Sequence, residues 1–168
     1  QDRETVDEAW PGDIVGLYDT GNLKIGDTLT DGEKLIYTGI PSFSPEIFKE
    51  VINKDAMKTK QLEKGLLQLM EEGVAQLFTY ELGKRKVVGV VGALQFEVIQ
   101  FRLKNEYSAS AEFAGQNIYK ACWISSKDPK KLNEFIDSKQ RHIARDKDDK
   151  LVFMAESRAW LQMVQDNF

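Results

Sequence analysis

One cysteine (Cys122) and one histidine (His142) are all the chain has of the two side chains most used as zinc ligands and catalytic partners. A structural zinc site takes about four Cys or His ligands, so none can be built from these two. No disulfide can form within the chain, which suits a reducing compartment. A Ser-His-Asp or Cys-His constellation would have to use His142, which sits in the charged, turn-like run Lys139-Gln140-Arg141-His142. No apolar run approaches the ~20 residues of a membrane span, and the N-terminus lacks a basic-then-apolar signal pattern. The chain reads as soluble and cytoplasmic, with no membrane partner.

A surplus of positive charge is also missing. The formal net charge is −4, and residues 1–13 carry that whole deficit, with Asp2, Glu4, Asp7, Glu8 and Asp13 against Arg3. The remainder is neutral, so a strongly basic nucleic-acid binder is excluded on bulk charge, while local basic patches stay open. Hydrophobic residues at 42% and charged residues at 30% are enough to bury a core and argue against disorder. The chain has no initiating Met and opens inside the acidic segment, so it reads as a fragment of a longer protein.

From Ala9 to Gly39, glycines and aspartates separate short apolar or β-branched runs: Asp13 to Tyr18, Asn22 to Ile25, Thr28 to Thr30 and Lys34 to Thr38. These read as short antiparallel strands of part of a barrel, too few to be stable alone. Ile40 to Pro45, with Pro41 and Pro45, reads as a stiff linker or hinge. Beyond it the pattern lengthens. Ile47 to Ile52 reads as a strand, and Ala56 to Glu72 as a helix capped by Asp55 and ended by Gly73. Val74 to Leu82 is a strand, Gly83-Lys84-Arg85-Lys86 a basic hairpin tip, and Val87 to Gly92 a buried strand. Ala93 to Tyr107 is a second helix, with Phe96, Ile99, Leu103 and Tyr107 on one face and Leu94, Val98 and Phe101 beside them; Ala109 to Phe113 is a strand.

That order is the split β-α-β, ferredoxin-like arrangement. It recurs more weakly in Ala121 to Ile124, a helix capped by Asp128-Pro129, the polar run Arg145 to Lys150, Leu151 to Ala155, and a last helix capped by Ser157 with Leu161, Val164 and Phe168 facing the core. The fold class expected is α+β, an antiparallel sheet carrying four helices. Trp10, Trp123 and Trp160 are expected to be buried or half-buried.

The chemistry on offer is sparse. Gly16 to Gly21 has the spacing of a phosphate loop, but Asn22-Leu23 follow where Lys and Ser/Thr are needed, so two turn glycines are the better account. Gly89, Gly92 and Ala93 lie on a strand-to-helix turn whose amides could hold an anion; packing of strand on helix explains the glycines equally well. The loops before the two strong helices lack the Arg an acyl phosphate hydrolase on this fold would use. Asp146, Asp148 and Asp149 lack the Gly and bidentate Glu of a calcium loop and read as a solvated hairpin tip. Basic residues gather at Lys84, Arg85 and Lys86 and at Lys139, Arg141, Arg145 and Lys147. Cationic turns of that kind contact phosphate without reading sequence, although a merely solvated turn looks the same.

Four stretches, in order, resemble the class II peptide chain release factors of bacteria (the release factor three family) among the translational GTPases. Pro11-Gly12-Asp13-Ile14-Val15-Gly16-Leu17, with Ile25-Gly26-Asp27-Thr28-Leu29, is similar to the end of the second, β-barrel domain of translational GTPases. Tyr37 to Glu46 and Gln61 to Gly73 resemble the release factors at their domain junction and first third-domain helix. Val91-Gly92-Ala93-Leu94-Gln95-Phe96-Glu97-Val98, continuing to Arg102 to Tyr107, resembles the strand-to-helix segment of the third domain.

The resemblance implies that residues 1–39 are the C-terminal part of a domain II barrel and residues 40–168 an α+β domain III. It implies a role in translation termination, where the intact factor is a ribosome-dependent GTPase that helps remove class I release factors. It also implies that GTP or GDP with Mg binds an upstream domain, and that this chain has no catalytic residue, cofactor or metal of its own. The partners implied are the ribosome, through rRNA and a small-subunit protein, and class I release factors by way of the ribosome, with the chain a monomer. Lys84, Arg85, Lys86, Arg141 and Arg145 are the expected ribosome contacts. The competing reading is a ferredoxin-like regulatory module that binds a small ligand at Gly89, Gly92 and Ala93 without catalysis.

Overall fold

The computed structural model describes residues 5–20, 22–23, 26–35 and 43–167. The chain divides into two units, Gln1–Thr38 and Gly39–Phe168.

In the first unit, the described residues form turns and no strand, and all but Thr28 are exposed. Gly12, Gly26 and Gly32 adopt left-handed φ of +100°, +98° and +84°. The strands expected at 13–18 and 28–30 do not form among these residues; those at 22–25 and 34–38 fall partly outside the described residues. The reason is physical. A strand is stabilised by its ladder partner, and no described residue here offers one. Ile14 and Tyr18 are almost wholly exposed, at 101% and 97%, and Trp10 is 71% exposed, against the expectation of burial.

The second unit is an α+β sheet. Its elements are β1 (Ile47–Asn53), α1 (Thr59–Glu71), β2 (Gln76–Tyr80), β3 (Lys86–Val90), α2 (Leu94–Tyr107), β4 (Ala111–Gly115), β5 (Lys120–Trp123), α3 (Pro129–Ser138), β6 (Ile143–Arg145), β7 (Leu151–Ala155) and α4 (Arg158–Asn167). A 3-10 turn, Ala56–Lys58, precedes α1, and the Asp55 side chain accepts from the Met57 N–H at its start. Leu62, Leu66, Leu69 and Met70 give α1 its buried face. Gly73 ends it at φ +76°, as its sequence position predicts. Asp128 and Ser157 cap α3 and α4 through the Lys130 and Trp160 N–H groups. Phe168, expected on the core face of α4, lies outside the described residues.

All seven strands lie in one sheet, in the order β4-β1-β3-β2-β6-β7-β5, and every pairing is antiparallel. The first four have the ferredoxin-like order. The last three repeat it in mirror, β6-β7-β5, joined to the first set through the β2–β6 pair Tyr80↔Ala144. Sequence reading passes over β6, whose three residues are too few to show a period.

Strand alternation sorts the side chains into two faces. Val88, Val90 and Leu77 pack under α1 and α2; Ile143, Phe153 and Ala155 pack with Phe135 of α3 and Val164 of α4. Because Thr79 lies opposite Arg145 and Tyr80 opposite Ala144, these two layers share one face of the sheet, which all four helices cover. The opposite face holds Phe48, Phe78, Tyr80, Val87, Ala144, Val152 and Met154, all buried although no helix covers them. The sheet buries this face by curling on itself. A flat sheet of this width would put β4 and β5 about 29 Å apart, whereas the 116–119 link between them reaches about 17 Å. Phe78 of β2 meets Phe48 of β1 and Trp123 of β5 at ring-centroid distances of 6.1 and 5.9 Å, which only a curled sheet permits.

Candidate functional site

The β2–β3 turn presents the first basic segment. Successive residues leaving the turn point to alternate sides, and each finds a different carboxylate. Lys84, at φ +51°, pairs with Glu81 at 3.1 Å. Arg85 pairs with Glu50 of β1 at 3.3 Å and lies over the Tyr80 ring at 4.9 Å. Lys86 pairs with Glu63 of α1 at 3.0 Å. The Lys84 side chain stays 72% exposed and that of Lys86 only 29%. The segment is thus a set of internally balanced pairs, with Lys84 the cation most open to a partner.

The second basic segment folds back to the same place through the β2–β6 pairing. Arg145 donates to Glu81 through Nε and to the Asp149 carbonyl at 2.7 Å. Lys84 and Arg145, 61 positions apart in the sequence, therefore share one carboxylate. Arg141, on the 3-10 turn Gln140–His142, is exposed and has no ion-pair partner among the described residues. Beside Glu81 and Arg145 lies an open groove of about 280 Å³, lined also by Leu82, Gln140 and the apolar Ile136, Ile143 and Leu151. Sequence reasoning misses Glu81, which precedes both cationic runs and comes to lie between them only through the β2–β6 pairing.

Hydrogen bonds from Arg145 first, and Lys84 second, hold the Glu81 carboxyl below the usual carboxylate range. A depressed folded-state pKa contributes stability that is present above the unfolded value and lost as pH falls through the folded one. Glu81→Gln removes that contribution. The stability gap between the natural chain and Glu81→Gln, read from urea midpoints, is expected to narrow as pH falls from about 5 to about 3. A gap that stays constant over that interval would show that Glu81 does not titrate differently on folding.

The other sequence candidates resolve otherwise. In the turn expected to hold an anion, the Val91 and Gly92 N–H groups donate to Oε1 of Gln95 at 3.0 and 2.9 Å, while Gln95 Nε2 donates to the Val74 carbonyl at 2.8 Å. Those amides are occupied by the chain itself. Gly89 serves packing, since a Cβ there would lie 2.7 Å from Pro45 Cβ. Gly92 therefore belongs to a helix start tied by Gln95, and an anion at this turn would have to do without the Val91 and Gly92 amides.

In the stretch with the spacing of a phosphate loop, whose Gly21 lies outside the described residues, the Asn22 and Leu23 N–H groups donate to the Asp19 carboxylate at 3.2 and 2.9 Å. Asp146 organises the β6–β7 turn, accepting from Asp148 N, Lys150 N and Trp123 Nε1. His142 pairs with Glu156 at 3.0 Å and packs on Trp160 at 4.5 Å. Burial raises the Cys122 thiol pKa. Among the described residues no helix is long and apolar enough to cross a membrane.

Two family models match the chain. The family model described as class II release factor RF3, C-terminal domain, matches residues 37–165. The model described as elongation factor G domain 2 matches residues 1–32.

Proposed function

The chain belongs to the class II release factor RF3 C-terminal domain family, and from that membership we propose that it docks on the ribosome and couples domain movement there to class I release factor dissociation. It is a translation-factor component acting in termination. In the proposed division of labour, nucleotide hydrolysis belongs to a G domain and this chain is catalytically silent, with Ile40 to Pro45 as the hinge; residues 40–42 lie outside the described residues.

The observation that carries the docking reading is the meeting of two basic segments at one end of the sheet. Lys84 and Arg141 project there, on a chain whose net charge gives RNA no general attraction. Isolated cations on a near-neutral body give salt-sensitive contact with rRNA phosphates and little indiscriminate RNA binding. Lys86 and Arg145 are better read as supports that hold the turn and β6 in place, because their pairs leave their side chains only 29% and 37% exposed, against 72% for Lys84.

Co-sedimentation with ribosomes tests this. Lys84→Ala with Arg141→Ala is expected to weaken binding and lower the slope of log affinity against log salt by about 2, about one for each phosphate no longer neutralised. Neither change touches an internal support other than the exposed Lys84–Glu81 pair, so the variant stays folded. Unchanged binding with an unchanged salt slope would overturn the docking assignment.

A further inference from the structure

Helix α2 is apolar on two opposite sides. Phe96, Ile99 and Leu103 are buried against the sheet, while Leu94, Val98 and Phe101 are 72%, 48% and 68% exposed. At about 100° per residue, Leu94, Val98, Phe101 and Asn105 fall within about 60° of one another on the side away from the core. Their spacing of four, three and four residues is the seam of a two-helix coiled coil: Leu94 and Phe101 at d, Val98 and Asn105 at a. The 14 residues of α2 span about 21 Å, room for two heptads.

The charges beside the seam are divided. On one flank Arg102 is already held by Glu72 and Glu106. On the other, Glu97 and Lys104 are exposed and have no ion-pair partner among the described residues. They stand seven positions apart, so both occupy g positions of the seam. One acid and one base bring no net attraction for a phosphate backbone, which sets this surface apart from the cationic end of the sheet.

We propose that the outer face of α2 pairs antiparallel with α2 of a second copy of this chain. Antiparallel packing sets a against d of the other helix. Val98 then meets Phe101 of the second copy, and Leu94 meets its Asn105. The Asn105 amide already donates to the Phe101 carbonyl at 2.7 Å, so its contact with Leu94 leaves that donor satisfied. The same register brings Glu97 of each copy opposite Lys104 of the other, twice by symmetry. The seam is its own complement, in apolar shape and in charge. A parallel pair would instead ask Arg102, already engaged, to answer Glu97. This pairing departs from the monomer expected of the sequence and is independent of ribosome docking.

Sedimentation equilibrium of the chain up to about 1 mM reads the proposal, since a two-heptad interface is small and its dimer weak. The weight-average mass is expected to rise from 19.2 kDa toward twice that value. Val98→Ser is expected to weaken association at least about tenfold. Glu97→Lys alone, or Lys104→Glu alone, is expected to weaken it roughly tenfold, and the double reversal to restore it to within about twofold. Val98, Glu97 and Lys104 are all exposed, so circular dichroism and the melting temperature should not change. A mass that stays at 19.2 kDa overturns the proposal. So does association indifferent to these changes, which would place the contact on other exposed apolar residues such as Ile14 and Tyr18.

Discussion

Phe78→Ala is expected to destabilise the second unit by about 3–5 kcal/mol, the range for deleting a fully buried aromatic ring. Phe78 is wholly buried and stands at the centre of the uncovered face of the sheet. Its ring reaches Phe48 on one side and Trp123 on the other, so it bridges strands that lie far apart in the sheet order. No helix covers this face, so nothing can collapse into the space the ring leaves except the curl of the sheet itself. At about 2–4 °C per kcal/mol for a chain of this size, the melting temperature should fall by about 6–20 °C. Met57→Ala, at a residue 94% exposed, should stay within about 0.5 kcal/mol. A Phe78→Ala cost below about 1 kcal/mol would mean that the curled face is not a packed core.

The first half of the sheet is legible in the sequence because its elements are long enough to show a period. The spacing of Leu62, Leu66, Leu69 and Met70, and the positions of Asp55, Gly73, Asp128 and Ser157, announce helices and their ends. Periodicity cannot say which of two apolar faces meets the core. It therefore sets Leu94, Val98 and Phe101 beside Phe96 and Ile99, yet they point the other way. Strand β6 and the curl are hidden for different reasons. Three residues carry no pattern, and curling follows from the short 116–119 link only once the strand order is known.

The basic clusters are visible as composition, but their meaning depends on distant partners. Arg85 finds Glu50, Lys86 finds Glu63 and Arg145 finds Glu81, separated in sequence by 35, 23 and 64 positions. Nothing local marks such pairs. The same holds for the turn at Gly92, whose open-looking amides are filled by Gln95 only because helix α2 begins where it does. In the first unit the opposite holds: the residues are β-forming in type, but strands need partners, and the described residues supply none.

Gly65→Leu is expected to destabilise the chain by about 3 kcal/mol or more, whereas Gly65→Ala should cost no more than about 2. Gly65 lies where α1 packs closely on α2. A Cβ there would lie 2.7 Å from Leu103 Cδ2 and 2.9 Å from Tyr107 Cγ. For alanine, the clash costs about 1–3 kcal/mol, offset by about 1 kcal/mol from its better helix propensity. Leucine adds three more carbons at a contact that one already overfills. Leu103 is fully buried, so it cannot swing into solvent to make room. The helices would have to separate, and with them the Arg102–Glu72 bridge that ties α2 to the end of α1. Leu103→Ala opens space at that contact, so the cost of Gly65→Ala should shrink or change sign in that background, a coupling that a double-mutant cycle in urea reads directly. If Gly65→Leu proves neutral, α1 and α2 are free to slide, and α2 cannot present a fixed outer face to any partner.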